Sequence, residues 1–159
     1  MLPKFCVGPA NFALKLNGYA ITTQSMAHRF FGQFAPRSGL ETWSATLNAS
    51  DTAVSHLGTK TLELGPVSEH GELDYPELPG SPDRQGAPRS VLHGVMGLSA
   101  HFLRCRGDRL LHAAGRYLPD YGAIVAIGAS GAGKSTVTSV LGGYEMGDEG
   151  IALQWRENR

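Results

Sequence analysis

The sequence has little cysteine, no net charge and no long apolar run, and each lack excludes a class of protein. Cys6 and Cys105 are the only cysteines and stand far apart, without CxxC spacing. That excludes a cysteine-based zinc site or a disulfide framework and suits a reducing compartment. The 14 basic and 14 acidic residues cancel, so the basic excess typical of nucleic-acid binders is missing. Arg104, Arg106 and Arg109 read as the solvated rim of a turn. The longest apolar run, Ala123 to Ile127, is far too short to cross a bilayer. The opening "MLPKFCVGPANF" has no basic stretch followed by a continuous apolar one, so it does not read as a signal peptide. The expectation is a cytoplasmic protein with neither nucleic acid nor a membrane among its partners.

Glycine, by contrast, is abundant, at 21 of 159 residues, and the hydrophobic share of 42% suffices for a modest core. This length suits one average domain or two small ones. "FALKLNGYAITT" alternates apolar and polar residues around Asn17-Gly18, which predicts a hairpin. "SMAHRFFGQF" predicts a short amphipathic helix capped by Ser25, with Met26, Phe30 and Phe34 on its apolar face. "ETWSATLNA" and "KTLELG" read as further strands. Residues 65–89 hold five of the nine prolines and four glycines, which predicts a long loop or linker. The expected organisation is therefore a β-rich part over 1–64, a linker over 65–89 and a core over 90–159. In that core "SVLHGVMGLSAHFL" reads as a helix weakened by two glycines, and "DRLLHAAGRYL" as a strand. "PDYG" is a turn into "AIVAI", a strand apolar on both faces, as in the interior of a mixed or parallel sheet. The fold class is α/β, with α+β as the alternative.

"GASGAGKST", residues 128–136, follows that strand at once and matches GxxxxGK[ST] through Gly128, Gly133, Lys134 and Ser135. Glycines let successive backbone N–H groups turn inward around an anion, and a following helix adds the positive end of its dipole. Gly128, Ala129, Ser130, Gly131, Ala132, Gly133, Lys134, Ser135 and Thr136 are thus the candidate residues for binding ATP or GTP. Lys134 would neutralise the β- and γ-phosphates and Ser135 would ligate Mg²⁺. Phosphoryl transfer also needs a carboxylate for the metal and a base for the nucleophile's proton. Asp148 and Glu149, just past the cradle helix, are the candidates: one could hold Mg²⁺ and the other act as base. The alternative is a solvated acidic turn between Gly147 and Gly150. His112, in the apolar setting "LLHAAG", is either a site residue or a core histidine. The other histidines show no metal-ligand spacing.

"LLHAAG…GAIVAIGASGAGKSTVTSVLGG…GDEGIAL" resembles the nucleotide-binding core of HPr kinase/phosphorylase and its relatives, among them the kinases of lasso-peptide precursors. The likeness covers about Asp108 to Leu153, and "LKLNGYAITTQSMAHRFFGQF" is similar to the less distinctive beginning of those relatives. The resemblance implies a fold like that of ATP-dependent phosphoenolpyruvate carboxykinase, where considerable β-structure precedes the phosphate loop. It also implies an ATP- and Mg²⁺-dependent kinase acting on a serine hydroxyl of a protein or peptide. By position, Asp148 and Glu149 match the family's acidic pair and His112 the histidine of the preceding strand. The interval from Lys134 to Asp148 is about a helical turn shorter than the family pattern, and Glu149 stands where Asp is more typical. Family members continue well beyond the acidic pair, whereas six residues follow Leu153 here. The expectation is a fragment, or a subunit completed by a homo-oligomer or a second protein, with apolar surface exposed near Val137, Val140, Leu141, Ile151 and Leu153. Two other functions fit the same residues: a regulatory or assembly module that binds nucleotide without transferring phosphate, and a simple NTPase.

Overall fold

The computed structural model describes residues 1–2, 4–50, 67–68, 70–75, 88–129, 131–148 and 150–154. Helices and strands are mixed, as an α/β fold requires, and the chain divides into two compact units, Met1–Phe102 and Leu103–Arg159. The division falls beyond the proline-rich stretch, so most of the helix assigned by sequence to the second part belongs to the first.

The first unit is built on a four-stranded sheet, β1 (Phe5–Val7), β2 (Ala10–Asn17), β3 (Thr42–Ala49) and β4 (Glu72–Tyr75), in that order. β1 and β2 form an antiparallel hairpin in which Val7 faces Ala10 across Gly8-Pro9. Gly8 has φ +58°, the Gly-first arrangement of a tight hairpin turn. The hairpin expected at Asn17-Gly18 is not there. β2 continues to Asn17, and Gly18, at φ +75°, turns the chain into helix α1 (Ile21–Phe31). α1 then returns it to β3, which pairs parallel to β2. A strand–helix–strand crossover is the connection parallel pairing demands.

α1 starts four residues before Ser25, with Ala20 at its N-cap, because the turn at Gly18 comes first. The Gln24 side chain donates to the Tyr19 carbonyl at 2.7 Å beneath that first turn. The buried face is therefore Thr23, Ala27, Phe30 and Phe31, not the Met26–Phe30–Phe34 stripe, and Phe34 lies past the helix. β4 lies inside the stretch read as linker. Leu73 and Tyr75 point inward and Glu72 and Asp74 outward, the period-two pattern of a half-buried strand. The expected strand "KTLELG" lies outside the described residues.

Helix α2 (Arg89–Cys105) buries Val91, Val95 and Leu98. Gly94, which weakens the helix by propensity, is needed for packing: a Cβ there would come within 2.7 Å of the Leu47 side chain on β3. Phe5, Phe12, Phe31, Trp43 and Phe102 make the aromatic core of this unit, with ring centroids 4.4 Å apart for Phe5 and Phe31 and 5.1 Å for Trp43 and Phe102.

The second unit contains β5 (Arg109–Leu111), β6 (Ala113–Leu118), β7 (Gly122–Ile127), helix α3 (Lys134–Ser139), β8 (Tyr144–Gly147) and β9 (Ile151–Leu153). The single strand expected over "DRLLHAAGRYL" is interrupted at His112. β6 and β7 form a hairpin whose turn carries Pro119 at its second position, where a fixed φ is favoured. The Tyr121 amide donates to Leu118 O at 3.1 Å, and Gly122 follows at φ +81°. The sheet order is β7-β6-β8, and every pairing is antiparallel. Among the described residues β7 is therefore at the edge of an antiparallel sheet, with Ala123, Ile124 and Ile127 exposed, and not inside a mixed or parallel one. Its apolar composition matches the pattern of a buried strand, whereas here helix α3 packs against it and those three residues remain exposed.

Candidate phosphate-binding site

The loop between β7 and α3 has the shape its glycines allow. Gly131 and Gly133 sit at φ +78° and +84°, in the left-handed region, and a Cβ on either would meet open space. The Ala132 amide donates to Ala129 O at 3.1 Å, closing a turn, and the Val137 amide donates to Gly133 O at 2.9 Å, beginning the helix. Gly133 caps α3 without a side-chain hydrogen bond, which leaves the first-turn amides to another acceptor.

Lys134 opens α3 and folds back over the loop. Its Nζ donates to the carbonyls of Gly128 and Ala129, at 3.1 and 2.9 Å. The residue is only 9% exposed, and among the described residues no carboxylate pairs with it. Its ammonium is held by carbonyl dipoles, and an anion placed against it would meet a full positive charge with hydrogen-bond donors. The donor set thus fits a phosphate group. Ser135 and Thr136 follow with exposed side chains, and Ser130 lies outside the described residues.

Sequence reasoning overlooked Thr138. It is buried one turn past Lys134, and its Oγ1 donates to the carbonyls of Lys134 at 3.1 Å and Ser135 at 3.2 Å. The spacing of four from Lys134 was the only clue to it. α3 packs against β6 and β7 and stops at Gly142-Gly143, both in the left-handed region.

The strand registers gather the remaining candidates. Gly115 on β6 faces Val125 of β7 on one side and Gly147 of β8 on the other. Both outer strands run antiparallel to β6, so both deliver their following residues to the end where β6 begins. Gly128 and the loop emerge there from β7, Asp148 from β8, and His112 immediately precedes Ala113, which faces Ile127. By these registers Gly128 continues β7 level with His112 and Asp148 continues β8 level with Ala114, with β6 between them and neighbouring strands about 4.8 Å apart. A further regularity underlies this. Leu111 faces Ile151 across β5 and β9, four residues along each strand from the Gly115–Gly147 pair. The two ladders are one register interrupted opposite His112.

Asp148 and His112 are both exposed, so the core-histidine reading does not hold. The apolar letters around His112 belong to Leu111 and Ala113, on the strands that it separates. Glu149 lies outside the described residues. No group of three or more metal-ligating side chains occurs among the described residues, although Mg²⁺ held through one carboxylate, a hydroxyl and substrate phosphates needs none.

The expected apolar surface is present in part. Val137, Val140 and Leu153 are exposed, Leu141 is half-buried, and Ile151 is buried, its side chain lying beside Gly115. Among the described residues no helix is long and apolar enough to cross a membrane. Comparison with protein-family models, with curated proteins and with solved structures finds no match to this chain.

Proposed function

We propose that residues 128–136 bind the phosphates of ATP and that the chain is an HPr-kinase-like phosphotransferase acting on a serine hydroxyl of a protein or peptide. The observation that carries this reading is the convergence of the glycine loop, His112 and Asp148 on one end of the β7-β6-β8 sheet. ATP with Mg²⁺ would supply the γ-phosphoryl group that the acceptor oxygen takes. Backbone amides of the loop, turned inward by Gly131 and Gly133, would bind the phosphates. The Lys134 ammonium exchanges two carbonyl contacts for phosphate oxygens and neutralises charge as it develops. The Ser135 hydroxyl and Asp148 are the groups that would hold Mg²⁺. Glu149, or Asp148 if Glu149 takes the metal instead, accepts the proton of the serine hydroxyl.

The experiment is ADP formation from ATP and Mg²⁺, measured with and without serine-containing protein or peptide acceptors, in the natural chain and in Asp148→Asn. Acceptor-dependent turnover that disappears in the variant is expected. Turnover that needs no acceptor would indicate an NTPase. Nucleotide binding without turnover, indifferent to Asp148→Asn, would indicate a binding module.

A further inference from the structure

Two glycines face each other where β6 meets β8, Gly115 and Gly147. Neither lies in the left-handed region, so neither is needed for its backbone. What they leave room for is the side chain of Ile151. A Cβ on Gly115 would stand 2.8 Å from Ile151 Cδ1, and a Cβ on Gly147 would stand 3.6 Å from the same atom. Ile151 is buried and is held in turn by its pairing with Leu111. Its Cδ1 thus fills a notch between the two strands. The notch sits at a bulge. Gly115 faces Gly147 but Arg116 faces Glu145, so Met146 is an extra residue on β8. Bulges commonly re-aim the chain beside functional sites. Past this one the chain stays close to itself, since a Cβ on Gly147 would also stand 3.1 Å from the Gly150 carbonyl oxygen. Asp148 lies in that short loop, directly after Gly147.

We infer that Ile151 is a positioning residue for Asp148. The inference rests on the reading in which Asp148 holds Mg²⁺ beside the phosphate loop. The Ile151 methyl stops Gly147 at the near end of the short loop, and the pairing of Ile151 with Leu111 holds the far end. The Asp148 carboxylate is then presented by a segment fixed on both sides, as metal ligands are when the groups behind them orient them. Filling the notch forces Ile151 to move, because 2.8 Å is closer than carbon atoms pack. Emptying it removes the stop behind Gly147. Either change alters the placement of Asp148 without touching the glycine loop, which follows β7.

The test is Mn²⁺ binding to the full chain in the presence of ADP, followed by electron paramagnetic resonance. ADP affinity in EDTA and the melting temperature are measured beside it. Gly115→Ala overfills the notch, Ile151→Val removes the Cδ1 that fills it, and the double variant exchanges one carbon for the other. Each single variant is expected to weaken Mn²⁺ binding by about tenfold, the low end for groups that orient a metal ligand. ADP affinity in EDTA should not change, and the double variant should regain the natural Mn²⁺ affinity. Ile151→Val, the milder change, carries the test should Gly115→Ala fail to fold. Asp148→Asn is the reference. If it leaves Mn²⁺ affinity unchanged, or the natural chain binds no Mn²⁺ with ADP, the metal role of Asp148 falls and the inference with it. If Asp148→Asn weakens Mn²⁺ binding while the single variants shift only the melting temperature, the inference alone is overturned. A double variant no better than the weaker single one overturns it as well.

Discussion

Gly143 faces the backbone of Tyr117 so closely that a Cβ in its place would overlap the Tyr117 carbonyl oxygen on β6. Gly143 also has φ +70°, which side chains other than glycine adopt at a cost of about 1–2 kcal/mol. The turn from α3 to β8 therefore has no room for alanine. Gly143→Ala should destabilise the protein by roughly 2–5 kcal/mol, the left-handed penalty plus overpacking. Gly131→Ala, with open space around it, should cost only the backbone term. Denaturant titration of the two variants checks the ordering, and equal losses would refute it.

Lys134→Ala removes the cation that folds back over the loop. ATP affinity should fall by roughly 2–3 kcal/mol, the scale of a hydrogen-bonded charge, or on the order of a hundredfold. The protein itself should lose little, because the two carbonyls that Lys134 contacts belong to a loop reached by solvent. Calorimetry of ATP binding decides, and equal affinity in both proteins would remove the phosphate-binding reading.

His112→Ala should slow phosphotransfer while leaving the folded state largely intact, since the residue is exposed. A lowered melting temperature with unchanged turnover per folded molecule would instead make His112 a structural residue of the strand break.

Tyr75 supplies a dependence on pH. Burial raises its hydroxyl above the ordinary value of 10.0. A folded state that holds the proton more tightly than the unfolded chain is fully stabilised below about pH 10. That stability is lost as pH rises through the folded value. Tyr75→Phe, which also removes the 3.3 Å contact with His93 Nδ1, should flatten the alkaline limb of the stability curve. Urea midpoints between about pH 8 and pH 11 measure it.

The loop, its helix, the strand before it and the strand carrying "ETWSATLNA" were legible in the sequence, since each rests on local periodicity or glycine spacing. The environment of β7 was not, because an apolar run reports what a strand could bury and not which neighbours it finds. Asn17-Gly18 misled for a related reason. A left-handed glycine reverses a strand into a hairpin or releases it into a helix, and the choice depends on whether the next strand pairs antiparallel at once or, as β3 does, parallel after a crossover. His112 shows the same limit at one residue. Its apolar neighbours lie on two strands, and the break between them is set by the pairing of Leu111 with Ile151 and of Gly115 with Gly147, both distant in sequence.

The β6–β7 hairpin has a consequence for the order of assembly. Its ladder closes across a three-residue turn, so its contacts are local and should form on the hairpin timescale of about 1–10 μs. β2 and β3 pair residues thirty-one positions apart, and a parallel ladder of that separation waits for its crossover helix and for loop closure. The strand that leads into the phosphate loop is then in place while the parallel sheet is still being assembled. For that interval the uncharged edge of β7 is exposed on a partly folded chain, where its encounters with other chains depend on concentration.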